Sequence, residues 1–146
     1  MSKLVVALLL SGLALAACGT VSLASAMQTW VTQSQFRQNL PTLTADVRSS
    51  ATQLRRSGPL GNNLHTVCAV LVVDTESANA SLPTPDSQAT KLLSKAYDDF
   101  GAGANRCYNA NASAGARAAA LRWLTKGMAA LSEGTARVNV AAGAAP

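Results

Sequence analysis

The sequence predicts an all-α protein, an antiparallel four-helix bundle closed by one disulfide. Three observations lead there. Ala fills 29 of 146 positions while aromatic residues make up 4%, a balance that favours helix over strand. Four stretches repeat apolar residues at steps of three and four, the period of a helix with one buried face. Their connections are short, which makes antiparallel neighbours the natural packing. The length of 146 residues suits a single domain, and 13% charged residues is too sparse for a disordered tail.

The N-terminus carries Lys3 and then an apolar run from Leu4 to Ala17. That run falls short of the ~20 residues a spanning helix needs, so it reads as the hydrophobic part of a signal peptide. It ends in Leu15-Ala16-Ala17-Cys18, which resembles the lipobox of bacterial lipoproteins. The resemblance implies that the Cys18 thiol is joined to diacylglycerol and that Cys18 becomes the new N-terminus. Two acyl chains are enough for stable anchoring. The alternative is plain secretion with cleavage after Ala24-Ser25-Ala26, a small-x-small site. Both routes export the chain. The expected organisation is a lipoprotein signal peptide over 1–17, a lipid anchor and tether over 18–28, the bundle over 29–140 and a disordered tail over 141–146. Loss of Lys3 leaves eleven cations against seven carboxylates, a mild excess that suits a protein near anionic lipid.

The first helical stretch carries Phe36, Leu40, Leu43, Val47, Ala51 and Leu54 on one face. Pro41 interrupts it, so a helix either starts near Thr42 or is kinked there. Arg55-Arg56 suits the negative end of the helix dipole, and Gly58-Pro59 stops the helix. The second stretch runs from about Asn62 to Ala78, with Leu64, Val67, Cys68, Leu71, Thr75 and Ala78 on one face. Its centre is apolar all round, a pattern that a buried strand shares, but no partner strand is visible. Ser81-Leu82-Pro83-Thr84-Pro85-Asp86 then reads as a linker ending in a helix start, with Thr84 as N-cap and Pro85 as the first helical residue. The third stretch carries Leu93, Tyr97, Phe100, Ala104 and Cys107. The fourth, from about Ser113, carries Leu121, Leu124, Met128, Leu131, Thr135 and Val138. Glu133 and Arg137 on its other face have the spacing of an i,i+4 ion pair.

With Cys18 lipidated, Cys68 and Cys107 remain, and an even pair in an exported chain reads as a disulfide. A tight hairpin between the second and third helices would leave the two sulfurs roughly 17 Å out of register. Either the linker before the third helix runs extended along the bundle, or that helix breaks at Gly101-Ala102-Gly103 and folds back. The extended linker is favoured because its prolines stiffen it. A metal site from His65, Cys68 and Cys107 lacks a fourth ligand. The layout resembles small extracytoplasmic actinobacterial proteins of unknown function, through early Trp30, a Cys on the second helix, the Pro-x-Pro entry to the third and a second Cys near its end.

No catalytic constellation emerges. His65 is the single histidine, and a triad needs a nucleophile, a base and an orienting carboxylate. Asp98 and Asp99 point about 100° apart on a helix and suit pairing with Lys95. Gly101-x-Gly103 lacks the third glycine of a dinucleotide loop. Arg55-Arg56 is a lone basic doublet, with no basic stripe of interleaved aromatics, so nucleic acid is not an expected partner. Trp30 and Trp123 are the candidate binding aromatics. Trp123 sits one step off the apolar stripe between Arg122 and Lys126, and Trp30 lies close enough to the anchor to sit at a bilayer interface. The expected protein is a lipoprotein without enzymatic activity, metal or cofactor, held on the extracytoplasmic side of the membrane and binding a protein or envelope component. The alternative is a carrier or sensor of a small apolar ligand, with Ala116, Ala120 and Gly127 leaving room for it inside the bundle.

Overall fold

The computed structural model describes residues 21–56, 62–110 and 113–143, and among these the secondary structure is helical throughout. Cys18, the segment 1–17 expected as a signal peptide, Gly58-Pro59 and residues 144–146 lie outside the described residues. The helices are α1 (Leu23–Gln33), α2 (Phe36–Arg55), α3 (Asn62–Asn79), α4 (Ser87–Tyr108) and α5 (Ala114–Ala141). The last four are the four stretches that the apolar period marks. No helix among the described residues is long and apolar enough to cross a membrane.

The fifth helix, α1, is the difference. Of the segment expected as a tether, residues from Leu23 onward are helical, and Met27 is fully buried. Ser22 caps the helix by accepting the Ser25 N–H. Ser34 and Gln35 then turn the chain into α2, with Gln35 at φ 52°, a left-handed conformation that a non-glycine residue seldom adopts. The expected tail also folds in part. Ala141 and Ala142 are buried, and the Ala142 carbonyl accepts from Gln28 Nε2 at 3.0 Å. Thus α1 lies across the end of the bundle where α5 finishes.

Pro41 lies inside α2 without ending it. α4 starts two residues later than the sequence suggests, because Asp86 is its N-cap and accepts from the Ala89 N–H at 2.7 Å. The Thr84 hydroxyl is turned instead toward Asp86 O and Thr90 Oγ1. α4 runs unbroken through Gly101 and Gly103, so residues 80–86 make up the register difference that the Cys68–Cys107 bond demands. That disulfide is present, with its Cα atoms 5.7 Å apart.

The tightest seam is between α4 and α5, and glycine makes it possible. A Cβ at Gly127 would stand 2.5 Å from Phe100 Cδ1, one at Gly134 2.8 Å from Leu93 Cδ2, and one at Gly103 2.5 Å from Leu124 Cδ2. Each step forward on α4 is matched by an equal step back on α5, so the pair is antiparallel and in strict register. Ala120, Gly127, Gly134 and Ala141 recur every seven residues, all buried, as a straight seam between two helices requires. Large side chains of one helix enter the gaps left by the small ones of the other. The space expected beside Gly127 for a ligand is therefore filled by the Phe100 ring.

Candidate functional site

Charge separates along the bundle. Residues 47–73 and 100–132 contain no Asp or Glu. These stretches are the second half of α2, most of α3, the end of α4 and the first two thirds of α5. The antiparallel register brings them to one end of the molecule. Arg117 Nη1 on α5 donates to Arg56 O after α2 at 2.7 Å, and Cys107 on α4 is bonded to Cys68 on α3. Seven cations stand there. Arg48 and Arg55 on α2, and Arg56 just after it, are exposed; so are Arg106 on α4 and Arg122 and Lys126 on α5, with Arg117 half-buried. All seven carboxylates of the chain lie in the other half, with Arg37, Lys91, Lys95 and Arg137. The ion pairs Lys95–Asp99 and Arg137–Asp86 belong to that half as well.

Trp123 is the centre of the cationic end. It is half-buried on α5, with Arg106 Cζ 5.1 Å and Lys126 Nζ 4.8 Å from its ring centroid. Both separations are within the range of cation–π attraction. On the α2 side of α5 lies a groove of about 360 Å³. Val47, Leu124 and Met128 supply its apolar lining, and Arg48, Thr52 and Arg55 its polar lining. His65 is exposed near the same end and meets Tyr108 edge-on, with ring centroids 5.2 Å apart.

Trp30, the other candidate aromatic, is at the opposite end. It is half-buried, its Nε1 donates to Ser81 O at 2.9 Å, and its ring rests 5.3 Å from that of Phe36. It fastens α1 to the linker before α4, which places its indole in the fold rather than at a lipid interface. The carboxylates resolve unequally. Asp99 is buried and takes Lys95 Nζ at 2.7 Å, as the spacing suggests, whereas Asp98 is exposed. Glu133 does not hold Arg137. The Arg137 guanidinium reaches Asp86 instead, through both Nε and Nη2. That hydrogen-bonded pair holds the Asp86 carboxyl down at about 2.

Sequence reading missed the pair Asp46 and Asp74, which sit on different helices and share no local motif. They face each other between α2 and α3. Burial, followed by the neighbouring Asp74 carboxylate, raises Asp46 from 3.8 to about 6. Asp46 Oδ2 and Thr75 Oγ1 are buried without a hydrogen-bond partner. Asp74 also lines a small cleft of about 140 Å³ with Ser34, Asn39, Leu40 and Tyr97. Burial pushes the Tyr97 phenol up to about 12. The cleft brings together no nucleophile, base and orienting group. Among the described residues no cluster of three or more His, Cys, Asp or Glu is placed to hold a metal ion. No protein-family description matches the chain, and no curated protein or solved structure is similar to it.

Proposed function

We propose that this chain is an exported lipoprotein, anchored through Cys18, whose bundle is a non-enzymatic binding module for a component of the cell envelope. The observation that carries the reading is the position of α1. Processing at Cys18 leaves Ser22 and all of α1 on the mature chain. Cleavage after Ala26 would strip the cap and the first turn, directly before the buried Met27. A disulfide between Cys68 and Cys107 suits an oxidising compartment. Binding rather than turnover is favoured because His65, Asp98 and the Asp46–Asp74 pair are scattered over separate parts of the bundle.

The test is the intact mass of the protein taken from its native membrane, with and without reductant. A chain starting at Cys18 with diacylglycerol attached, and a gain of two hydrogens on reduction, is the expected result. A bare chain starting at Met27 would overturn the anchor.

A further inference from the structure

We propose that the end of the bundle around Trp123 binds a linear phosphate polymer lying away from the membrane. For its orientation this rests on the anchor at Cys18; the binding itself does not. The net positive charge of the whole chain is small, yet seven cations and no carboxylate share one end. Six of the seven are Arg, whose planar fork takes an oxyanion through two parallel hydrogen bonds.

The arrangement suits a chain of charges better than one small anion. Arg48 and Arg55 are seven residues apart on one face of α2, roughly 10 Å, and the Arg122–Lys126 pair, one turn apart, stands on another helix, α5. Cations at such intervals do not converge on one phosphate. They track a repeating one, and binding then releases counterions along its length.

A membrane is the wrong partner for this end. Cys18 is four residues before the α1 cap, and α1 lies beside the finish of α5, where Gln28 meets Ala142. From there to Lys126 is about 24 Å along α5, and to Arg117 about 38 Å. The half nearer the anchor holds three more carboxylates than cations, so it offers anionic lipid no attraction. A nucleic acid is also disfavoured, since the Trp123 ring on which a base would stack already carries Arg106 and Lys126.

The experiment measures binding of the detergent-purified full protein to inorganic polyphosphate, to oligothymidylate of equal charge and to vesicles rich in phosphatidylglycerol, at several salt concentrations. Polyphosphate should bind best. Arg122→Ser with Lys126→Ser should weaken it at least tenfold and lower the salt slope by about one per cation removed. Arg37→Ser with Lys91→Ser should change it less than twofold, and the helical circular dichroism of both double variants should match the parent. No salt-sensitive binding, equal loss from both double variants, or tighter binding to oligothymidylate or vesicles would each overturn the proposal. The lipid on Cys18 is read separately by mass. Lipid present without polyphosphate binding removes this inference and leaves the anchor standing; binding without lipid does the reverse.

Discussion

Arg137 closes on the carboxylate of Asp86 from 51 positions further along the chain, with Nε 3.0 Å from Oδ1. The same Oδ1 caps α4 through the Ala89 N–H. One buried carboxylate therefore starts one helix and fastens the last turns of another. Asp86→Asn keeps a capping oxygen and loses the charge. Asp86→Ala loses both, and the cap alone is worth about 1 kcal/mol. The alanine variant should melt below the asparagine variant, and both below the parent. Ionised Asp86 stabilises the fold, fully so above its ordinary value of 3.8, and the contribution fades as pH falls toward 2. Melting curves across that window should show the parent losing its advantage over Asp86→Asn.

Asp46 works in the opposite sense. Its carboxyl titrates near 6 in the fold against an ordinary 3.8, so the folded protein holds a proton that the unfolded chain has released. Stability should fall as pH rises from 3.8 to about 6 and level off above. Asp46→Asn should flatten this decline and melt higher than the parent above pH 6. A parent curve that rises across this window would contradict the arrangement of Asp46 beside Asp74.

The close seam between α4 and α5 makes glycine substitutions divide by position. Gly127→Ala drives a methyl into the Phe100 ring and Ala96 O, and overpacking of this kind costs about 1–3 kcal/mol. Gly115 has nothing within 4 Å of a built Cβ. There Ala should stabilise α5 by about 0.5–1 kcal/mol through helix propensity. Chemical denaturation of the two variants, measured side by side, checks the contrast.

Reduction of Cys68–Cys107 opens a loop of 39 residues. On the chain-entropy model this costs about 4 kcal/mol, and Cys68→Ser with Cys107→Ser should show the same loss. The midpoint of denaturation with and without reductant measures it, and reductant should leave the double serine variant unchanged.

Much of the helical framework was legible in residue order. The apolar stripes of α2 to α5 recur at helical period, and Ser113 was read as a start that proved to be a cap. What stayed hidden had a common cause. α1 is short and rich in Ser, Ala and Thr, and its two buried residues, Met27 and Val31, make too brief a stripe to be distinguished from a tether. Asp86 looked like a first-turn residue because Thr84 and Pro85 fit a start equally well. Arg137 has a local partner in Glu133 at a favourable spacing, but the buried carboxylate of Asp86 offers two hydrogen bonds to a guanidinium in fixed geometry. Asp46 and Asp74 carry no local signal at all.

Sequence by itself determined what depends on neighbours along the chain: the helical periods, the signal-like run ending at Cys18, and Cys68 and Cys107 within two of the helical stretches. The extended linker that lets Cys68 meet Cys107 could also be reasoned out, since a covalent bond tolerates little error in distance. Tertiary structure alone decided the rest. The register of α4 on α5 turned the expected ligand space beside Gly127 into a seam filled by Phe100. The antiparallel fold gathered cations from α2, α4 and α5 at one end and left the carboxylates at the other. A net charge is a sum and carries no position; only folding gives each charge a place, and so gives this small excess a direction.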